Sequence, residues 1–306
     1  MKTISNDIIT ITVDDHGAEM VSIKCGGREY LWGGHPEFWK RHSPVLFPIV
    51  GSVWNGEYRS GGKVYKMGQH GIARDMDFVC TSDAADTLSY ELRSSAETLA
   101  KYPYPFDLRI SYRLTGRTVQ VIWEVENISS DELPFQIGAH PAFYWPLLSN
   151  DTINGGVETM NAELAKSSCR GYFKLSPEQS VLTSRIITEG GCVHPTVTKA
   201  IAVEAGGYLP LDTDTFNDDA LILEGGQVQR VTLCDDSKKP YLTVTFQSPL
   251  VGLWSPPHKN APFVCIEPWY GRTDSVGYAG TFEAREHINH LPAGETFRAM
   301  YEITIE

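Results

Sequence analysis

The run Leu108-Arg109-Ile110-Ser111-Tyr112-Arg113-Leu114-Thr115-Gly116-Arg117-Thr118-Val119-Gln120-Val121-Ile122-Trp123-Glu124-Val125-Glu126-Asn127 decides the fold. Leu108, Ile110, Tyr112 and Leu114 recur every second residue. After Thr115-Gly116 the same period resumes, with Val119, Val121, Trp123 and Val125 set against Thr118, Gln120, Glu124 and Glu126. Successive side chains of an extended chain point to opposite faces, so each half reads as a half-buried strand and Thr115-Gly116 as a tight hairpin. Outward from this hairpin, Leu242, Val244 and Phe246 repeat the pattern, and Phe297, Ala299, Tyr301, Ile303 and Ile305 close the chain with it. Glycine pairs at 26–27, 61–62, 155–156, 190–191 and 225–226 separate short strands. The clearest helical signal is Ser94 to Tyr102, capped by Ser94 or Ser95 and ended by Pro103. Strands do not alternate with helices, so the expected fold class is all-β with antiparallel sheets.

The 306 residues read as one domain spanning 1–306, because no Pro-, Ser- or charge-rich linker and no fixed-period repeat divides them. The stretch Asn150 to Thr198 is loop-like and reads as an excursion between sheets. With 26 basic against 38 acidic side chains the net charge is −12 and no basic run occurs, so a nucleic-acid partner is not expected. No segment approaches the ~20 apolar residues that span a bilayer, so no membrane partner is expected either. The six cysteines form no C-x-x-C pair, and the N-terminus lacks a basic stretch followed by an apolar one. Reduced thiols and a cytoplasmic location are therefore expected. Seven Trp and fourteen Tyr offer flat rings with polar edges that suit sugar faces, although most should pack between strands.

Three separated segments concentrate chemistry. Gln69-His70-Gly71-Ile72-Ala73-Arg74-Asp75 sets an imidazole and a guanidinium beside a glycine that lets the backbone approach a ligand. Arg74 could hold hydroxyls or a developing oxyanion with its fork of donors, or form a plain surface pair with Asp75. In Gly138-Ala139-His140-Pro141-Ala142-Phe143 the apolar setting disfavours imidazolium, so the His140 pKa should lie near or below ~6.5. In Cys265-Ile266-Glu267-Pro268-Trp269-Tyr270-Gly271 the proline should stop the strand or put it at an edge. Glu267 is then expected at a sheet rim, its pKa raised above ~4.3 by partial desolvation into the range of a useful base. Trp269 could stack on a sugar ring or pack in the core. Taken alone, His70 is more often a surface or structural histidine, His140 is as readily a satisfied core histidine, and surface glutamates are common; the three together can make an acid–base site only if the fold joins them. His287-x-x-His290 and Cys192-x-His194 lack the second cluster a zinc site needs. No phosphate-binding glycine loop or nucleophile elbow occurs, since Glu57 follows Gly51 to Gly56 where lysine should stand.

In this order, the three segments, together with Ile8 to Cys25, Leu46-Phe47-Pro48-Ile49-Val50-Gly51, Asp219-Ala220-Leu221-Ile222 and Leu291-Pro292-Ala293-Gly294-Glu295-Thr296, resemble the aldose 1-epimerase (galactose mutarotase-like) family, particularly its LacX-like branch, over nearly the whole chain. The resemblance implies a large antiparallel β-sandwich, the galactose mutarotase-like supersandwich, with few short helices and a sugar cleft on one sheet. It further implies a small-molecule sugar as partner, no cofactor and no metal, with the protein a monomer or homodimer. By the same resemblance Glu267 takes the proton of the anomeric hydroxyl while His140 protonates the ring oxygen. His70 polarises or positions the ring, Arg74 grips hydroxyls, and Asp219 helps orient the sugar. Such ring opening needs a base and an acid at opposite ends of one O–C–O unit, each contributing typically ~10²–10⁴ in rate. Two departures stand out: Ser52 follows Gly51 where related sequences often carry arginine, and Ile72 stands where phenylalanine is frequent. The first bears on how hydroxyls or a phosphate are held. It leaves as alternatives a hexose-6-phosphate 1-epimerase, which would require a basic cleft mouth, and a non-catalytic carbohydrate-binding protein. Two histidines and a carboxylate also describe a facial metal triad, but the H-x-D or H-x-H spacing is lacking around His70 and His140.

Overall fold

A computed structural model of the chain describes residues 1–166 and 169–306. The hairpin forms as expected: Phe106–Thr115 pairs antiparallel with Thr118–Asn127 over ten residues, and the second strand alternates buried and half-exposed positions. Thr115 faces Thr118, so the two-residue turn is Gly116-Arg117, one residue later than expected. Gly116 takes the positive φ of 56° that such a turn favours.

This hairpin lies in a nine-stranded sheet that starts at Tyr208–Leu211 and continues with Gly171–Ser176, Arg230–Cys234, Pro240–Phe246 and Thr296–Ile305. The two hairpin strands follow, then Thr87–Arg93 and Val79–Asp83. A second, eight-stranded sheet runs from Val193–Ala202 through Val181–Ile187, Leu221–Leu223, Leu250–Trp254, Phe263–Tyr270 and Ile137–Ala139 to Val45–Leu46, with Ala142–Tyr144 also paired to Phe263–Tyr270. One apolar cluster draws on Leu108, Val121, Trp123, Val244 and Ile303 from the first sheet and on Ile137, Val251, Leu253, Val264 and Ile266 from the second. The fold is therefore an all-β antiparallel sandwich with few short helices. The helix Ala96–Lys101 begins where the sequence places it: Ser95 accepts from the Thr98 amide and Thr98 returns the bond, a reciprocal capping box. No described helix is long and apolar enough to cross a membrane.

The segment 150–198 is more regular than its sequence suggests. It holds helices Asn150–Asn154 and Val157–Leu164, then Gly171–Ser176 in the nine-stranded sheet and Val181–Ile187 with the start of Val193–Ala202 in the eight-stranded one. It does cross between the sheets, but as paired strands. The helices are too short to show a sustained period, and the edge strand Val193–Ala202 is exposed along most of its length, so its residues need no alternation.

The second sheet sorts the strand Phe263–Tyr270 by parity. Val264 and Ile266 face the sandwich interior, while Phe263, Cys265, Glu267 and Trp269 belong to the opposite, outer face. On neighbouring strands Gly252, Trp254, Gly138 and Ile222 share that outer face with them.

Candidate active site

A cleft of about 320 Å³ opens on this outer face, and His70, Arg74, His140, Asp219, Glu267 and Trp269 all line it. The three segments singled out in the sequence do converge. Glu267, however, is not at a rim. Its strand is central, paired with Leu250–Trp254 on one side and with both Ile137–Ala139 and Ala142–Tyr144 on the other. Pro268 is tolerated inside this strand because the neighbour is itself interrupted at His140-Pro141. The Ile266 N–H donates to the Pro141 carbonyl there, and the nitrogen of Pro268, two residues on, faces the same gap, where no donor is needed. The interruption that accommodates the proline also carries His140 over the sheet. Its Nε2 comes to 3.4 Å from Glu267 Oε2.

Trp269 forms the cleft floor. A Cβ on Gly252 would stand 2.4 Å from its ring and one on Gly138 2.6 Å, so these two glycines let the indole lie flat across both flanking strands. The ring is only 5 % exposed, so its main duty is packing, with one surface left to the cleft.

His70 arrives on a loop. It adopts φ of 65°, donates its backbone N–H to the Gly51 carbonyl at 2.7 Å, and accepts the Gly51 N–H on Nδ1 at 3.1 Å. A ring nitrogen that accepts a backbone N–H carries no proton, so the neutral imidazole bears its hydrogen on Nε2. Burial, followed by the nearby His140, Arg74 and Arg41, holds the His70 pKa well below 6.5, and His70 is thereby a fixed neutral donor. The His70 and His140 rings meet edge to face at 5.4 Å. Arg74 is mostly buried; its Nε lies 3.7 Å from Asp75 Oδ2, but Asp75 is held more closely by Arg41 at 2.7 Å. Burial lowers the Arg74 guanidinium to about 10, which leaves it charged at neutral pH.

Burial, with the charge of Asp219 added, pushes the Glu267 carboxyl well above its usual range. Desolvation likewise drives His140 down to about 3. Burial thus favours the neutral forms of both side chains, a protonated carboxyl and an unprotonated imidazole, over the charge-separated pair. Asp219 sits at a strained φ of 74° with Oδ1 accepting the Ala220 N–H at 2.7 Å. Among the described residues one set could hold a cation: His140, Cys265 and Glu267, whose ligand atoms lie within 4.8 Å of one another. Burial raises the Cys265 thiol well above its ordinary value, so it stays protonated without a metal.

A family model described as aldose 1-epimerase matches residues 2–303. The chain belongs to the aldose 1-epimerase family. The chromosomal protein LacX of Lactococcus lactis subsp. lactis is 29% identical over 310 residues, covering 99% of this chain and 98% of that protein. A galactose mutarotase related enzyme from Lactobacillus acidophilus has 34% identity and a TM-score of 0.87, covering 99% of this chain and 96% of the other. A galactose mutarotase-like protein from Lactobacillus casei ATCC 334 has 29% identity and a TM-score of 0.88 over the full length of both chains. The sandwich is thus the fold of the galactose mutarotase-like proteins, and the LacX-like resemblance of the sequence holds.

Within this family fold, sequence reasoning missed two aromatic residues. Trp39 stacks on His140 with ring centres 4.8 Å apart and planes at 30°, and Trp254 meets the same imidazole edge-on at 5.4 Å. Trp254 ends a strand whose register sets Gly252 against Glu267, a pairing that no local pattern reveals. Trp39 lies in an irregular segment with no signal at all. Trp39→Ala is expected to admit water to His140 and raise its pKa from about 3 by roughly one to two units, read from the NMR titration of that imidazole. An unmoved titration would mean that the indole does not enforce the desolvation. The discarded histidines stay discarded: His290 pairs with Glu132 at 2.6 Å, His287 lies 3.5 Å from Glu224, and His194 Nδ1 accepts two backbone N–H groups.

Proposed function

We propose that the protein is an aldose 1-epimerase acting on a free aldohexose, with Glu267 and His140 as the proton-transferring pair. The observation that carries this reading is the 3.4 Å approach of His140 Nε2 to Glu267 Oε2 on the floor of a sugar-sized cleft. In the reactive form the proton of the pair sits on His140: the ionised Glu267 takes the proton of the anomeric hydroxyl as the His140 imidazolium delivers its own to the ring oxygen, so the C1–O5 bond breaks, an open-chain aldehyde forms and the pair is left as carboxylic acid and neutral imidazole. Rotation about C1–C2 presents the other carbonyl face. Reclosure returns both protons along the reverse path and gives the other anomer. Only one proton is shared by the pair throughout, and the two residues alternate as its holder, so the empty and turned-over states have the same charge. The Nε2–H of His70 and the fork of Arg74 face the same space and would hold oxygens of the sugar, while Asp219 accepts a hydroxyl.

The charge of the lining favours a free sugar over a phosphorylated one. Among its described residues Arg74 is the one Lys or Arg side chain, against the two carboxyl groups of Asp219 and Glu267. Ser52 donates its backbone N–H to Thr273 Oγ1 at 3.0 Å and adds no charge. A reading of 1–306 as one domain is supported by the apolar cluster that includes both Ile4 and Ile305. Polarimetry on freshly dissolved glucose, galactose and xylose, beside glucose 6-phosphate, tests the proposal. At least one free aldose should reach equilibrium faster than in buffer, and the phosphorylated sugar should not be preferred. Spontaneous rates throughout would leave a binding module as the better account.

A further inference from the structure

Outside the cleft, one buried cation has no ion-pair partner among the described residues. Arg170 precedes the strand Gly171–Ser176, is 3 % exposed, and donates from Nη1 to the Ala261 carbonyl at 3.1 Å. Its Nε and Nη2 have no partner among the described residues, and neither does the Nε1 of Trp145, over whose ring the guanidinium lies at 5.0 Å. Arg170 and Trp145 line the same small cavity, of about 10 Å³. Several polar groups around it are engaged elsewhere, while the exposed Asp212 also lines it with its carboxylate. Asp212 Oδ1 accepts the Asp214 N–H and the Thr215 hydroxyl, Asn217 donates to Asp214, and Ser255 donates to the Phe263 carbonyl. No described carboxylate forms an ion pair with Arg170, and burial alone accounts for the lowering of its guanidinium to about 10.

A fully buried guanidinium without a counter-charge is strongly unfavourable, and two vacant guanidinium donors beside a vacant indole N–H supply the geometry that an anion accepts. We propose that this cavity binds one monatomic anion of the chloride class, held by Arg170 Nε and Nη2 and by Trp145 Nε1. The room is small, about 10 Å³, which favours a single small ion over an extended molecule. A water would satisfy the donors but leave the charge. The chain segments around the cavity, 212–217 and 255–261, continue into the cleft at Asp219 and Pro257, so the ion would brace that wall of the cleft from behind.

The test compares thermal unfolding of the full chain at constant ionic strength in sodium chloride, sodium bromide and sodium gluconate. A ligand that binds only the folded state raises Tm saturably with its concentration. Chloride and bromide should raise Tm by a few degrees over gluconate, and Arg170→Met should remove that difference. Crystals of the unmodified protein grown in bromide should show an anomalous peak within hydrogen-bonding distance of Arg170 and Trp145, a readout that stands even if the variant does not fold. Equal Tm in the three salts, or a cavity without an anomalous peak, would mean that water fills it and would overturn the assignment. Neither measurement depends on the sugar chemistry of the cleft.

Discussion

Glu267→Gln is expected to lower the catalysed rate of mutarotation by roughly 10²–10⁴, toward the spontaneous background, while sugar binding persists. The amide keeps the size and hydrogen-bonding reach of the carboxyl, so binding measured by calorimetry should change little; what is lost is the ability to exchange a proton with His140 at 3.4 Å. The same variant should gain stability with rising pH relative to the parent. Burial raises the folded-state carboxyl well above its ordinary 4.5, so the folded protein keeps a proton that the unfolded chain has released. The stability this group contributes is full below about pH 4.5 and falls as pH rises toward the folded value, whereas glutamine is indifferent to pH. Thermal melts from about pH 5 to 8 should therefore diverge, with the variant melting higher at the alkaline end. A variant of full activity would remove Glu267 from the reaction, and parallel melts would show that its carboxyl is not desolvated.

Gly71→Ala is expected to destabilise the protein by roughly 2–4 kcal/mol, measured by urea unfolding, a sum of the left-handed backbone penalty and a backbone collision. Gly71 has φ of 77°, and a Cβ there would stand 2.3 Å from the Phe47 carbonyl oxygen and 2.7 Å from the Pro48 nitrogen. Those atoms are backbone and cannot swing aside. The loop is also pinned to them: the Ile72 and Ala73 amides both donate to the Phe47 carbonyl, at 2.9 and 3.1 Å. Since His70 precedes Gly71 and reaches the cleft from the same turn, activity in the remaining folded fraction should fall as well. A cost below about 1 kcal/mol would mean that the turn relaxes and that His70 is not rigidly presented.

Strand existence was legible wherever one face meets the core and the other meets water, as in the Phe106–Asn127 hairpin. It was not legible in the edge strand Val193–Ala202, where most residues are exposed and no alternation is demanded. The place of Glu267 was misjudged for a related reason. A proline argues for an edge when a strand is read alone, and only the interruption of the partner chain at His140-Pro141 makes a central position possible. Trp39 and Trp254 went unnoticed because their importance lies in contact with His140, more than one hundred residues away from each along the chain.

What the residues by themselves determined was therefore local: period-two burial, glycine turns, the Ser95 cap, and the chemical identity of His70, Arg74, His140 and Glu267. Tertiary structure decided the rest. Register between strands chose which side chains share the outer face, and the packing of indoles and neighbouring chains around them removed water. Desolvation depends on atoms brought in from distant segments, so the proton affinities of His140 and Glu267, on which any acid–base chemistry here rests, come into being only when the sheet closes around them.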